Sequence, residues 1–294
     1  MRSIAKFLIC SILLLLLTGC TSDQPAQIVA TTAPVWQFTT ALCEGTPLTV
    51  SQLVTENVSC LHDYTLTVGQ MKKLESAKLI IISGAGLENF MTDILNGRHV
   101  LDASVGISLL EMDGNHHHDE PAHDDHHHEH DPHIWLSPEN AQSMAANICT
   151  GLTKEYPEYA HTFQDNLSSL TTQLQQLQEY GENALADLSC RELITFHDGF
   201  AYLADSFDLH ILEAIEEESG SEASAQELIR LIETVKHNNL PAVFTEINGS
   251  ASAAGVICAE TGIASYPLDM AMAGEDYFES MYCNIDTLKE ALKP

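Results

Sequence analysis

The chain has 294 residues, with 42 acidic against 12 basic side chains and a formal net charge of −30. So acidic a surface repels nucleic acid and anionic lipid and attracts cations, which excludes a nucleic-acid-binding role. The length suffices for two ordinary domains.

Arg2 and Lys6 precede an apolar stretch over residues 7–17 that is too short for a comfortable membrane span, the pattern of an export signal. The sequence "LTGC" then ends at Cys20 and resembles a bacterial lipobox, which implies a signal peptide over 1–19 and a lipid on Cys20. Residues 20–27 read as a polar tether. Without 1–19 the charge becomes −32, and no later segment is long and apolar enough to span a bilayer.

From residue 28 the pattern alternates. "IVAT" reads as a strand, Pro34 opens a helix reaching Cys43, "TPLTVSQLVT" is strand-like and "TVGQMKKLESA" helical. "KLIIISG" is a buried strand, "LENFMTDILNG" a helix stopped at Gly97, and "HVLDAS" another strand. This βαβα order predicts a mostly parallel sheet with helices on both faces, an N-terminal lobe over 28–154. Within it, residues 115–131 form a polar loop carrying His116, His117, His118, His123, His126, His127, His128 and His130 among acids. Ser137 and Pro138 then cap and start a helix. Leu167, Leu170, Leu174, Leu177, Leu185 and Leu188 keep helical spacing across one long linking helix, 155–189, slightly weakened at Gly181. The alternation resumes over 190–294 with strands in "ELITF", "DLHILEAI", "PAVFTEI" and "ASYPLDM" and helices in "SAQELIRLIETVKHN" and "GSASAAGVICAETG". The expected class is therefore α/β: two lobes, each a mostly parallel sheet with flanking helices, joined by one long helix.

Ligands in open α/β sheets collect at the carboxyl ends of strands. His62 in "SCLHDYTLT", His133 in "DPHIWLSP" and His197 in "TFHDGFAYLA" all stand where a loop leaves a strand or begins a helix. Taken singly, any of them is more often structural than a ligand. Asp63 and Asp198, each directly after a histidine, have the chemistry to orient an imidazole, or simply to cap a turn. Asp269 in "YPLDM" and Glu246 in "FTEING" are carboxylates at comparable strand ends. His99, His161, His210 and His237 fall on helix surfaces or within strand patterns.

Together, "HDY", "HIWLSP", "FHDGFAYLA" and "LD", with a long helix between the second and third, closely resemble the metal-binding receptors of bacterial zinc and manganese ABC importers. The resemblance covers nearly the whole mature chain. It implies a site between two lobes made by three histidines with a carboxylate or water. Carried onto this sequence, the ligands are His62, His133, His197 and Asp269, with Glu246 or water the alternatives for the fourth. Some zinc members have an acidic residue just before the first histidine; here that residue is Leu61. Three imidazoles and a carboxylate suit tetrahedral Zn²⁺, with Mn²⁺ the lesser candidate. Zinc-type relatives also often carry a histidine- and acid-rich loop before the second ligand. The loop here is too polar to form a core, so it is expected to collect zinc weakly while His133 belongs to the tight site.

The resemblance thus implies a monomeric, non-enzymatic, lipid-anchored extracytoplasmic receptor handing zinc to a membrane permease. Rival readings are a zinc hydrolase with Glu246 as base, although no H-E-x-x-H motif is present, and a zinc buffer or adhesin without a permease. Six cysteines remain after Cys10 and Cys20, with no Cys-x-x-Cys pair, and an even number in an exported chain suggests disulfides. The expected pairs are Cys43–Cys60, Cys149–Cys190 and Cys258–Cys283, the last falling where some receptors of the resembled family have a bridge.

Overall fold

The computed structural model describes residues 27–56, 58, 61, 64–111, 130–215, 223–272 and 276–293. The export segment with Cys20, the residues Cys60, His62 and Asp63, and the histidines from His116 to His128 lie outside the described residues.

Among the described residues there are two four-stranded sheets, and both are parallel throughout. The first contains β1 (Ile28–Ala30), β2 (Val50–Gln52), β3 (Leu79–Ile82) and β4 (Val100–Asp102) in the order β2-β1-β3-β4. Ile28 stands opposite both Val50 and Leu79, and Ile80 opposite Val100. The second contains β5 (Glu192–Thr195), β6 (His210–Ala214), β7 (Ala242–Glu246) and β8 (Ala264–Leu268) in the order β6-β5-β7-β8. The two orders are the same pattern repeated. The expected α/β class with two lobes holds.

Local chemistry explains the helices. In the first lobe α1 (Ala33–Cys43) takes Pro34 in its first turn, and α2 (Val68–Ser76) starts with a reciprocal capping box between Thr67 and Gln70. A 3₁₀ turn at Asn89–Met91 runs into the single turn of α3 (Thr92–Leu95). Ser137 Oγ accepts from Asn140 N to open α4 (Pro138–Glu155). A 3₁₀ turn over Pro157–Tyr159 then precedes α5 (Ala160–Ala184), whose 25 residues extend about 37 Å. The linking helix is therefore shorter than its leucine spacing suggests, with Leu185 as its C-cap. Gly181 has a packing role: a Cβ there would lie 2.2 Å from Phe207 Cε1. In the second lobe come α6 (Ala201–Ser206), α7 (Ala225–Asn238), again with a capping box (Ser224 and Glu227), and α8 (Ser252–Thr261).

The final helix, α9 (Tyr277–Leu292), was not anticipated from the sequence pattern. Its signals are nonetheless ordinary. Asp276 accepts from Phe278 N and Glu279 N as N-cap, and Met281, Ile285, Leu288 and Leu292 recur on one buried face.

Strand parity sorts the interior into three layers. Val29 and Ile80 face one outer cluster with Leu53, Leu74 and Met91, while Ile194 and Val243 face another with Leu231, Val235 and Ile257. Between the sheets, Ile28, Ile81, Leu193 and Phe244 belong to one continuous core with side chains of α1, α4, α5, α6 and α9. The inner strands β1, β3, β5 and β7 are thus covered on both faces, which is why they read as apolar runs. Among the described residues no helix is long and apolar enough to cross a membrane.

The expected disulfides need correction. Cys43, Cys149, Cys190, Cys258 and Cys283 are all free thiols. Cys149 sits on α4, which packs on the first lobe where Gly151 meets Leu101, whereas Cys190 leads into β5 of the second. Cys258 packs with the outer cluster of the second sheet, whereas Cys283 is exposed on α9, the helix whose buried face joins the central core. Burial pushes the Cys43 thiol up to about 12, which leaves it an inert core residue.

At the carboxyl end of β3, Glu88 is buried and accepts from Thr31 Oγ1 at 2.6 Å, Ser83 N at 2.8 Å and Gly84 N at 3.0 Å. Desolvation nevertheless raises its pKa from 4.5 to about 7, with the charge of Asp102 adding to the rise and the hydrogen bonds opposing it. A carboxyl that holds its proton more tightly in the native state contributes stability in full at low pH, and that contribution is lost as pH rises from about 4.5 to about 7. Urea unfolding across this range should show the wild type losing on the order of 3 kcal/mol relative to Glu88→Gln. Parallel pH profiles for the two proteins would place Glu88 in the ordinary carboxylate range.

Candidate metal centre

The candidate ligands gather at the carboxyl ends of the strands. His133 lies beyond β4, immediately before the 3₁₀ turn Ile134–Leu136, and only 2% of it is exposed. His197 follows β5 by two residues, Glu246 is the last residue of β7 and Asp269 the first after β8. The first belongs to one lobe and the other three to the second.

The structure brings His133 and His197 together. Their ring centroids are 5.3 Å apart with planes at 77°. His133 is held on one side by Asp131, whose Oδ1 accepts from His133 N at 2.9 Å and stands 2.7 Å from Nδ1. An ionised carboxylate only accepts, so this contact puts the ring proton on Nδ1 and leaves Nε2 with its lone pair. Among the described residues that Nε2 is buried with no hydrogen-bond partner. A buried, unprotonated imidazole nitrogen with its far side held by a carboxylate is the usual arrangement of a metal ligand. Asp131 was missed in the sequence, where the acids directly following histidines drew attention instead. Its signal was the i,i+2 spacing in "DPH".

His197 has Glu246 Oε2 at 3.9 Å from its Nδ1, within ion-pair reach. Gly199 lies so close that a Cβ would come 2.7 Å from His197 Cδ2 and 2.8 Å from Met270 Cε, so only glycine leaves that ring its place. Trp135 meets the His133 ring edge-on at 5.4 Å and Phe200 meets His197 at 6.4 Å, so the pair has apolar walls. Such walls strengthen electrostatic attraction to a cation.

Asp269 is half-buried and already engaged: Oδ1 accepts from Ala271 N at 2.9 Å and Oδ2 from Ser280 Oγ at 2.7 Å. A carboxylate with about four lone-pair sites keeps acceptor capacity beyond these two bonds. Among the described residues no three His, Cys, Asp or Glu side chains converge as a metal cluster. The third expected imidazole, His62, is outside them. His130, the one tract histidine within the described part, forms an antiparallel bridge with Glu111.

Residues 28–291 match the family model of ZnuA, described as the zinc-uptake complex component A, periplasmic. The chain belongs to this family. Among curated relatives, the zinc-binding lipoprotein AdcA of Streptococcus pneumoniae is 29% identical over 306 residues, covering 97% of this chain and 60% of AdcA. The chain thus spans a little over half the length of that relative. A putative metal-binding protein of Treponema pallidum is 27% identical and is covered over 92% of its length. Among solved structures, a zinc-bound ZnuA deletion mutant superposes with a TM-score of 0.77 at 29% identity, covering 92% of this chain and 99% of the mutant. The likeness to these ZnuA-family folds extends through both lobes.

Proposed function

We propose that this member of the family is an extracytoplasmic receptor that captures Zn²⁺ between its lobes and delivers it to the permease of an ABC importer, acting as a monomer tethered through a lipid on Cys20. The observation that carries the reading is the pair of imidazoles from opposite lobes, one of them oriented by Asp131 with its Nε2 left for a cation. Zinc is also the metal bound by the relative AdcA and by the ZnuA deletion mutant. We assign His62, His133 and His197 as the imidazole ligands, with Asp269 as the fourth and Glu246 or water as its substitutes. An imidazole-rich set favours zinc over manganese. Glu246 lies within ion-pair reach of His197 and no H-E-x-x-H motif is present, so the centre is read as a carrier and not as a hydrolytic site.

The direct test is competition with a strong chelator, which should reveal one tight zinc per chain; a metal-dependent turnover with no tight retention would favour the enzyme reading. The histidine-rich loop gives a second test. Deleting residues 115–129 removes a stretch of polar and charged composition, and shortening a loop changes closure entropy only slowly. Calorimetric titration should show total zinc falling towards one equivalent, with tight-site affinity changed by less than about tenfold. Loss of the tight site on deletion would make the loop part of the primary centre.

A further inference from the structure

Tyr202 lies on α6, five residues beyond His197, and only 3% of it is exposed. Its hydroxyl reaches into the first lobe. There it accepts from Leu110 N at 2.9 Å and donates to Asp131 O at 3.1 Å. Leu110 and Asp131 are themselves joined, Asp131 N donating to Leu110 O at 3.0 Å, and Glu111 bridges His130 beside them. One phenol therefore holds both strands of the neck at which the chain passes Glu111 and returns at His130. Asp131 is at the same time the residue whose Oδ1 bonds both His133 N and Nδ1.

We propose that Tyr202 is a positioning residue for the metal centre: from the second lobe its hydroxyl fixes the Leu110–Asp131 neck, and through Asp131 it sets the His133 imidazole relative to His197. The inference rests on the receptor reading above and deepens it. Its chemistry is preorganisation. Two ligands on different lobes must be held at a fixed separation before the cation arrives, or part of the binding energy is spent ordering them. His197 and Tyr202 share one short segment of the second lobe, so the Tyr202–Asp131 bond ties the two imidazoles by a path that does not pass through metal. Tyr202 touches no ligand ring in this chain of contacts; it acts only through Asp131.

A purely structural tyrosine would stabilise the metal-free and zinc-loaded protein equally. A positioning tyrosine stabilises the loaded form more, and linkage makes that difference visible. Tyr202→Phe keeps the ring that fills the core and removes only the hydroxyl. Chelator competition should show zinc affinity lower by about tenfold, the low end for losses one step removed from a ligand. The rise in Tm on adding zinc should shrink, and the visible absorption of the Co²⁺-substituted protein should change. Combining Tyr202→Phe with Asp131→Ala should cost no more affinity than Asp131→Ala alone, because the two act in series. Wild-type affinity in Tyr202→Phe, with Tm lowered equally with and without zinc, overturns the inference, and so does additivity with Asp131→Ala. Either of those results leaves the receptor reading standing, whereas a wild-type chain that retains no zinc removes both.

Discussion

His133→Ala and His197→Ala should each weaken zinc binding by at least about tenfold, since even residues that merely support a ligand are worth about 10–100-fold. For His133 the loss has two parts. The variant removes a nitrogen whose proton state is set by Asp131, and it leaves the Asp131 carboxylate, 3% exposed, with its acceptor at Oδ1 facing a space the ring once filled. For His197 the variant removes an imidazole whose Nδ1 stands 3.9 Å from Glu246 Oε2. Asp269→Ala should cost less, because water replaces a carboxylate oxygen more readily than an imidazole, and because Asp269 also bonds Ala271 N and Ser280 Oγ. Competition against a chelator of known affinity measures all three. Unchanged binding in both histidine variants would remove the centre from the cleft between the lobes.

Trp135→Ala should destabilise the fold by about 3–5 kcal/mol, the range for deleting a large buried aromatic. Trp135 is fully buried, its Nε1 donates to Met270 O at 2.8 Å, and its own carbonyl accepts from Tyr277 OH at 2.8 Å. The first of these bonds is lost with the indole, so the Met270 carbonyl is left without its donor. Both bonds run from the segment after His133 to the second lobe, and the indole also meets the His133 ring at 5.4 Å. Zinc affinity should therefore fall together with stability. Trp135→Phe, which keeps a ring but not the N–H, should lose less. Urea unfolding of the metal-free proteins separates the two variants; a loss below about 1 kcal/mol for Trp135→Ala would mean that the interior collapses around the gap.

How much of this was legible beforehand differs by kind of signal. Alternating apolar runs and caps such as Thr67 with Gln70 are local, so the βα rhythm and the two lobes could be read directly. His133 and His197 were legible from short motifs, and they do meet in space. Tyr202 was not, because its importance lies in a contact across 71 residues of chain that no local pattern encodes, whereas Asp131 had only its i,i+2 spacing to His133 as a signal. The cysteines failed for a related reason. Their even number suggests that pairing is possible, but only the fold shows Cys258 on a helix of the outer cluster and Cys283 exposed on the helix that closes the central core. Helix α9 was legible in its Asp276 cap and apolar spacing, yet it follows a strand end at Asp269 that had drawn attention as a ligand.

The continuous core between the sheets bears on how the protein is made. Tyr277 N donates to Gln37 Oε1 across 240 residues, and the apolar face of α9 belongs to the same interior as Ile28 and Phe38. A ribosome or export channel releases the N-terminal half first, but that half cannot close its interior until the last helix has emerged. Contacts of such long sequence separation close slowly, and the waiting half exposes apolar surface while it waits. The nascent chain is thus committed to folding late and as a whole. Any truncation before residue 277 should therefore yield an aggregation-prone fragment and not a free-standing first lobe.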